Sequence, residues 1–407
     1  MTSHAPPSSR IDPASLRATG SDRGAREVLL AISPVPPWPV KDGMSLRVSR
    51  VLEQLASTWP IVLICPPGGE SAQANGVELI AEVNFPNVEQ WMYVPSQYDI
   101  EPVVKKVRET VQTFEPAIAL LWGGMEYLRD HIPEMPPSVS DRVDSMTLSA
   151  WRMLLRSPDM HELQSRLAHL AYVARYEFTT RKSSRAMAVV GDADASVLRR
   201  FLRVKNVHVI PNGVDATPHV GDRSRYPTVM FTGVLNYTPN VDAVLYFAET
   251  VWPFVHARIP EAVLQLVGRS PAPEIIALGS RPGIEVHANV ESVPAMLAKA
   301  WVAVAPMRSG CGIKNKILEA WSVGTPAVMT PIATNGLTQA PEALLLTAEG
   351  EAMASMIVDL LNNPEKRDAL GSIARATATD RFSWQTAGAA VSALLNNALH
   401  SESAVAV

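Results

Sequence analysis

Residues 301–336 read WVAVAPMRSGCGIKNKILEAWSVGTPAVMTPIATNG. They begin with a short apolar run at 302–305, which is followed by a turn that contains Gly310 and Gly312. Apolar residues then recur every three or four positions over 313–321, and this spacing predicts a helix. A strand that passes through a glycine-rich turn into a helix is typical of a parallel α/β sheet.

The turn also has the chemistry of an anion site. The first N–H groups of a helix have no partner within the helix, and the helix dipole makes that end positive. Arg308, Lys314 and Lys316 surround it, which indicates a diphosphate ligand. Glu319 follows Lys316 by three residues and shares its face of the helix, where ribose hydroxyls would be suitable partners. An ordinary strand-turn-helix with a surface Lys/Glu pair is the alternative.

Composition and charge exclude several classes of protein. The chain has 407 residues, 47% of them hydrophobic, which is enough for about two to three packed domains. Its 36 basic and 40 acidic residues give a formal charge of −4, so no nucleic-acid partner is expected. Cys65 and Cys311 form no disulfide framework and no zinc spacing, which favours a reducing cytoplasm. No apolar run reaches the ~18–20 residues of a membrane span.

Two stretches of alternating strand and helix patterns divide the chain at a Pro- and Gly-rich break, 211–227. The predicted strands of the first stretch are 28–33, 61–65, 91–94, 117–122, 186–190 and 207–210. Those of the second are 228–233, 264–268, 284–287, 302–305, 326–329 and 343–346. This alternation predicts two doubly wound parallel sheets that face a central cleft. We assign 1–24 to a disordered tail, 25–213 and 214–382 to two Rossmann-like domains, and 383–407 to a C-terminal helix that could pack back on the first.

Five segments in the linker and second half occur in the order of a known family. They are IPNGVD (210–215), FTGVLNYTPNVDAV (231–244), LQLVGRSP (264–271), VAPMRSGCGIKNKILEAWSVGTPAV (304–328) and TNGL (334–337). With them the chain resembles a GT-B glycosyltransferase of the large retaining family 4, also described as glycosyl transferases group 1. The resemblance implies a metal-independent, hexosyltransferase-type enzyme that uses a nucleotide-diphosphate sugar as co-substrate and needs no cofactor.

By this resemblance, the family's donor site falls on the helix after the glycine-rich turn. Glu319 matches the second acid of the Glu-x7-Glu signature, which holds the nucleotide ribose in the family. The first acid falls on Cys311, so the usual carboxylate contact with the donor sugar is missing or is made by backbone N–H groups. The pattern resembles a branch of the family with an Arg-x-Gly-x-Gly turn. The matching residues are Arg308, Gly310, Gly312 and Lys316.

The loop that begins at Gly233 departs from the family in a second way. Many relatives supply an Arg and a Lys to the donor phosphates there, whereas residues 233–237 contain no basic side chain. The resemblance therefore moves phosphate binding to Arg308, Lys314 and Lys316. We predict that Arg308 and Lys316 are catalytic because they stabilise the departing diphosphate. No general base is identified.

The first domain and the loops near it supply further candidates. Gly43 follows the first strand and would let backbone approach the donor phosphates, although a plain turn glycine could stand there too. The acceptor-side candidates are Asp42, Arg47, Asp141 and Asp144. Capping or solvated loop positions are the alternative for these residues. We interpret Asp192 and Asp194 as helix caps rather than as a manganese pair, and we predict no metal site.

The sequence therefore predicts a cytoplasmic transferase that acts on a glycan, a lipid-linked or a small-molecule acceptor. Basic residues in 159–185 allow contact with anionic lipid at the inner face of a membrane, although a solvated helix face would look the same. Two alternatives stay open, a catalytically silent GT-B protein that binds sugar nucleotides and a GT-B sugar-nucleotide epimerase. A dehydrogenase is disfavoured because no Gly-x-Gly-x-x-Gly follows a strand.

Overall fold

The computed structural model describes residues 27–84, 100–155, 160–217 and 223–401. The predicted tail 1–24 and the predicted strand 91–94 lie outside the described residues, as do part of the linker 211–227 and the last residues of the chain. Within the described ranges, no helix is both long enough and apolar enough to cross a membrane.

Seven strands form the first sheet. They are β1 (Leu29–Ile32), β2 (Ile61–Cys65), β3 (Ala81–Asn84), β4 (Ile118–Trp122), β5 (Ser138–Val143), β6 (Ala186–Val189) and β7 (Val207–Val209). The helices of this part are α1 (Gly43–Leu55), α2 (Glu101–Phe114), α3 (Leu128–His131), α4 (Met146–Leu154), α5 (Met160–Thr179) and α6 (Asp192–Arg200). The strand order is β3-β2-β1-β4-β5-β6-β7. Backbone bonds from Arg185 to Ser138 and from Val190 to Val143 join β5 to β6 in the same parallel sense as the other pairs.

Six strands form the second sheet, and all of its pairs are parallel. They are β8 (Thr228–Val234), β9 (Val263–Arg269), β10 (Ile284–Ala288), β11 (Val302–Ala305), β12 (Ala327–Met329) and β13 (Leu346–Thr347). The helices are α7 (Thr238–Thr250), α8 (Trp252–Arg258), α9 (Pro273–Leu278), α10 (Val293–Lys299), α11 (Asn315–Ser322), α12 (Gly350–Asn362), α13 (Pro364–Arg381) and α14 (Trp384–His400). The strand order is β10-β9-β8-β11-β12-β13. Two doubly wound parallel sheets, as predicted from the sequence, are therefore confirmed.

The strand order identifies one edge of each sheet as a position for a ligand. The order reverses between β1 and β4 in the first sheet and between β8 and β11 in the second. In doubly wound sheets, ligands bind beyond the carboxyl ends of the strands at such a switch point. In the second sheet this point is flanked by the loops 235–237 and 306–314, which follow β8 and β11.

Strand β5 differs from the sequence prediction. The sequence predicts no strand here and offers a loop position as the alternative for Asp141, yet all six residues of β5 are buried. The strand was missed because its polar side chains are satisfied by protein partners rather than by water. Asp141 Oδ2 accepts a hydrogen bond from Arg47 Nε at 2.8 Å, and both side chains are fully buried. An acceptor could reach Arg47 or Asp141, both predicted on the acceptor side, only if this pair became exposed.

The described chain packs as two compact units. Among the described residues, one consists of those within Met1–Asp141, Ser183–Arg185 and Leu394–Val407, and the other of those within Arg142–Lys182 and Ala186–Ala393. In the first unit, Arg185 Nη1 donates to the carbonyl of Ala398 at 2.6 Å, which ties the end of α14 to this unit. The predicted domains 25–213 and 214–382 follow the two sheets, and their boundaries remain a prediction.

We expect loss of the Asp141 carboxylate to destabilise the first unit strongly. Asp141→Leu leaves the Arg47 guanidinium buried without its charge partner, which should lower the free energy of unfolding by about 3–5 kcal/mol. The double variant Arg47→Met/Asp141→Leu should recover most of this loss because it removes both buried charges. Urea unfolding measures the change.

The matched control is the exposed Lys366–Asp359 pair, whose atoms are 2.7 Å apart. Asp359→Asn should change the free energy of unfolding by less than about 1 kcal/mol. Equal effects of Asp141→Leu and Asp359→Asn would show that the buried pair has no special contribution.

Candidate functional site

Helix α11 starts directly after the loop that follows β11. The segment from 308 to 314 is called the glycine turn below. The helix begins at Asn315, and Lys314 stands at the N-cap position without a side-chain hydrogen bond to the first turn. The Asn315 side chain accepts a bond from Asn212 Nδ2 at 2.9 Å. The start of α11 therefore has the open, positive end that an anion site requires.

Lys314 closes the glycine turn. Gly310 and Gly312 have φ values of +92° and +67°, a region that favours glycine. Lys314 Nζ donates to the carbonyls of Cys311 at 2.6 Å and Gly312 at 3.0 Å. The side chain is buried, and burial lowers its pKa. To bind a donor phosphate, as the sequence predicts, Lys314 would have to release these two carbonyls.

Gly312 lies against two carboxylates. A Cβ atom at this position would stand 1.9 Å from Asp144 Oδ1, closer than real Cβ contacts allow. The Gly312 N–H donates to Asp194 Oδ2 at 3.2 Å. The prediction that the amides of the turn are free to bind an anion is therefore wrong for Gly312. Asp144, predicted on the acceptor side, lies beside the glycine turn.

Asp194 is fully buried and bonds three segments together. Besides Gly312, it accepts from Ser145 N at 2.9 Å and from Asn335 Nδ2 at 2.7 Å. Asn335 Oδ1 accepts from Ala193 N, in the first turn of α6, at 2.9 Å. The interpretation of Asp194 as a helix cap is therefore wrong, because Asn335 bonds the start of α6 and Asp194 holds the glycine turn.

Lys316 connects α11 to the strand β8 and the start of α7. Its Nζ donates to Asn240 Oδ1 at 2.9 Å and lies 3.7 Å from the centroid of the Phe231 ring. Gly233 makes room for this side chain, since a Cβ there would stand 3.2 Å from Lys316 Nζ. One ammonium group therefore connects β8, α7 and α11, the elements next to the two loops at the switch point.

Lys316 and Glu319 have shifted pKa values. The pKa of Lys316 is lowered to about 7: burial is the largest cause, the Lys314 charge also lowers it, and the Glu319 carboxylate opposes the shift. Burial also raises the pKa of Glu319, and Lys316 opposes that rise. Burial therefore favours the neutral form of both groups. An anionic ligand would reverse this for Lys316, because a nearby negative charge favours the protonated ammonium.

Arg308 is the most exposed of the three predicted cations. Its guanidinium lies 3.5 Å from Asp242 Oδ1 and 5.1 Å from the centroid of the Tyr246 ring, both on α7. The Arg308 side chain is 42% exposed, and ion pairs of this kind contribute little to stability. Arg308 could therefore exchange Asp242 for a phosphate at small energetic cost.

A family model matches part of the second half of the chain. Residues 226–363 match a family model described as Glycosyl transferases group 1. A curated relative is the GDP-mannose-dependent alpha-(1-6)-phosphatidylinositol monomannoside mannosyltransferase of Mycolicibacterium smegmatis. It is 28% identical over 160 residues, which are 35% of this chain and 42% of the relative. The chain therefore matches less than half the length of that relative.

Solved structures match nearly the whole chain. Sucrose-phosphate synthase from Thermosynechococcus elongatus has a TM-score of 0.69 at 15% identity, covering 91% of this chain and 99% of its own. Alr3699/HepE from Anabaena, in complex with UDP and glucose, has a TM-score of 0.61 at 16% identity, covering 91% and 100%. The chain has a GT-B glycosyltransferase fold.

The region that matches the family model extends from β8 to the end of α12. It contains both loops at the switch point of the second sheet. Of the donor-side residues of this GT-B fold that the sequence predicts, only Gly43 lies outside the matched region. Gly43 is the exposed first residue of α1, and Asp42 caps this helix through bonds from Met44 N and Ser45 N at 3.0 and 2.8 Å. Asp42, a predicted acceptor-side residue, is therefore a helix cap, which was the alternative interpretation.

Cys311, which the resemblance aligns with the family's first acid, lies in an acidic environment. Its Sγ and carboxylate oxygens of Asp144 and Asp194 lie within 4.8 Å of one another. Burial, followed by these two carboxylates, raises the pKa of the thiol. A glutamate here would add a third carboxylate to the group, which like-charge repulsion disfavours. The three side chains have the spacing of a metal site, but both Asp194 oxygens already accept N–H bonds.

Three residues of the site were not predicted from the sequence. They are Asn240, Asn335 and Arg152, whose Nη1 donates to the carbonyl of Gly310. Asn240 has a signal, since it lies on the buried face of α7 with Val244 and Phe247, three or four residues apart. Arg152 is 158 residues from Gly310, and no periodic pattern predicts that contact.

We predict that Gly312→Ala destabilises the protein more than the same change at a glycine with open surroundings. Gly350 also has a positive φ, +53°, but a Cβ there would meet nothing within 4 Å. Gly350→Ala should cost about 1–2 kcal/mol through its backbone conformation alone. Gly312→Ala should cost at least about 1 kcal/mol more, because its methyl group displaces the Asp144 carboxylate. Urea unfolding of both variants measures the difference, and equal costs would contradict the packing described here.

Proposed function

We propose that this chain is a cytoplasmic, metal-independent glycosyltransferase that moves a hexosyl group from a nucleotide-diphosphate sugar to an acceptor hydroxyl with retention of configuration. The observation that carries the proposal is the position of Lys316 and Glu319 on α11, at the switch point of the second sheet and within the matched region. The carboxyl ends of the strands at this point are where doubly wound sheets bind nucleotides.

The donor diphosphate is assigned to Lys316 and Arg308, and the ribose to Glu319. Asn240 holds Lys316 beside the loop after β8, and the Asp242 carboxylate lies 3.5 Å from the exposed Arg308. In retaining transfer the diphosphate leaves with increasing negative charge while the acceptor hydroxyl attacks from the same face. Fixed cations that meet this charge lower the barrier without a strong general base.

The comparisons suggest two kinds of sugar-nucleotide donor and several kinds of acceptor molecule. The mycobacterial relative is named for GDP-mannose and a phosphatidylinositol mannoside, whereas HepE was solved with UDP and glucose. We therefore propose a glycan, lipid-linked or small-molecule acceptor without choosing among them. A lipid-linked acceptor would bring the protein to the inner face of a membrane. The exposed Trp151 and Leu167, on α4 and α5, support such a contact.

Two alternatives use the same fold. A catalytically silent sugar-nucleotide-binding protein is suggested by Cys311, which lacks the carboxylate of the family's first acid. A sugar-nucleotide epimerase would bind the same ligand and transfer nothing.

Mass spectrometry of products separates these three functions. The protein is incubated with a panel of UDP- and GDP-sugars and with candidate acceptors, in EDTA and in manganese. A glycosylated acceptor that forms equally in EDTA supports the proposal. An isomerised sugar nucleotide indicates the epimerase, and nucleotide binding without any product indicates the silent protein. Activity that requires manganese contradicts metal independence and points to the group of Asp144, Asp194 and Cys311.

Glu319→Gln should weaken nucleotide binding. Loss of a charged acceptor for ribose hydroxyls should cost about 1.5–3 kcal/mol, or roughly 10- to 150-fold in dissociation constant. Calorimetric titration with UDP and GDP measures the change. Glu365→Gln, at an exposed position in the first turn of α13, is the control and should leave the affinity unchanged. An unchanged dissociation constant in Glu319→Gln would exclude Glu319 from the site.

Arg308→Ala should lower turnover more than donor affinity, because its contribution grows as the diphosphate departs. We expect a fall in kcat of at least about 100-fold, equivalent to about 2.7 kcal/mol, at saturating donor. Arg308→Lys should recover only part, since lysine lacks the planar pair of donors. Asp242→Asn is the matched control because it breaks the Arg308–Asp242 pair and keeps the guanidinium. A similar fall in Asp242→Asn would attribute the effect to the lost pair rather than to phosphate.

A further inference from the structure

Asn240 is a buried polar residue between the two loops at the switch point of the second sheet. It lies in the first turn of α7, and the residue is 7% exposed. Nδ2 donates to the Val234 carbonyl at 2.9 Å, and Oδ1 accepts from Lys316 Nζ at 2.9 Å. The carbonyl requires a donor and the ammonium requires an acceptor, so these two partners fix the orientation of the amide.

Gly233 allows the Asn240 amide to reach this position. Gly233 has a φ of +154°, and a Cβ atom there would stand 2.8 Å from Asn240 Nδ2 and 3.2 Å from Lys316 Nζ. Any larger residue at 233 would push the amide and the ammonium away from the strand end. Gly233, Asn240 and Lys316 therefore form one packed unit, which is called the Asn240 bridge below.

The Asn240 bridge supplies a positive group at a loop that has none of its own. Residues 233–237 contain no basic side chain. Lys316 comes from α11, which follows the other loop, and its ammonium lies over the Phe231 ring of β8 at 3.7 Å, with Met307 Sδ at 3.8 Å. An aromatic face and a thioether attract an ammonium but hold it less firmly than an oxygen acceptor does. Asn240 Oδ1 is thus the contact that sets its position.

A neutral amide is better suited to this position than a carboxylate. An aspartate at 240 would form a buried ion pair with Lys316 and compete with an incoming phosphate for it. An asparagine accepts one of the three N–H bonds of the ammonium and adds no negative charge beside it. The charged groups that act on the Lys316 ammonium are Lys314, two residues before it, and Glu319, three residues after it. Asp242, also on α7, is paired with Arg308.

We propose that Asn240 is a positioning residue that holds the Lys316 ammonium at the end of β8, so that its remaining N–H groups face the donor diphosphate in place of the basic pair this loop lacks. The inference rests on the proposed function, because it assumes a diphosphate at this switch point. Asn240 itself acts through Lys316.

The first experiment follows the titration of Lys316 in the nucleotide-free protein. Lysine labelled with ¹³C at Cε gives an NMR signal for each side chain, and Lys316→Arg identifies the signal of Lys316. Asn240→Asp should raise the midpoint of this signal by about one pH unit or more, because a carboxylate stabilises the ammonium. Asn240→Ala should lower it, because the ammonium loses its oxygen acceptor. Asp242→Asn, on the same helix, should leave it unchanged.

The second experiment measures UDP and GDP affinity from pH 6 to 9 by calorimetry. Since the pKa of Lys316 in the nucleotide-free protein is lowered to about 7, the affinity for the nucleotide should be highest below that pH. It should fall by up to about tenfold per pH unit above it, because binding then requires uptake of a proton. Asn240→Ala should weaken binding at least tenfold at pH 7. Lys316→Gln should remove the fall in affinity above pH 7. Any pH dependence that remains in this variant comes from titration of the nucleotide itself.

Three results would decide the proposal. If neither Asn240 variant moves the Lys316 midpoint while both keep the wild-type melting temperature, Asn240 does not hold the ammonium and the proposal is overturned. If the midpoint moves but the affinity of both nucleotides is unchanged at every pH, Lys316 does not face the diphosphate and the proposal is again overturned. If the wild type binds no nucleotide, the proposed function fails, while the NMR result still decides whether Asn240 holds Lys316.

Discussion

The hydrogen bonds to the buried Asp194 carboxylate hold the glycine turn in place, and the proposed donor site depends on them. The glycine turn has positive φ values at two positions and belongs to neither a helix nor a strand, so it has no regular ladder of hydrogen bonds to hold it. Asp194 accepts hydrogen bonds from Gly312 N, Ser145 N and Asn335 Nδ2, and hydrogen bonds to a carboxylate are stronger than those to a neutral acceptor. A buried charge is itself tolerated only when such donors surround it. The turn and the carboxylate therefore require each other.

This arrangement divides the three cations of the turn among different tasks. Lys314 is bonded to two carbonyls of the turn and completes its shape. Asn240 holds Lys316 beside the other loop, where its pKa is lowered to about 7 with burial as the largest cause. Arg308 remains near the surface beside Asp242. A cluster that looks uniform in the sequence therefore contains one structural lysine and two cations that could meet a diphosphate.

The sequence was sufficient for the architecture because buried parallel strands have a simple pattern. Runs such as Ile61–Cys65 and Ile118–Trp122 are apolar throughout and fully buried. The pattern failed for β5, whose residues Ser138–Val143 are buried although most are polar, since their partners are distant in the chain: Arg47 is 94 residues from Asp141. The glycine turn, with its neighbouring cations, could likewise be identified from local spacing. The bonds that position it join residues 118 to 158 apart, and no single-sequence pattern contains that information.

A crystal structure of the protein with the nucleoside diphosphate that it binds tests the central claim most directly. The account predicts an oxygen of the diphosphate within about 3 Å of Lys316 Nζ. It also predicts the ribose hydroxyls on Glu319 and the Asn240 bridge unchanged. A nucleotide bound at the ends of β1 and β4, or one that contacts neither Lys316 nor Glu319, would contradict it.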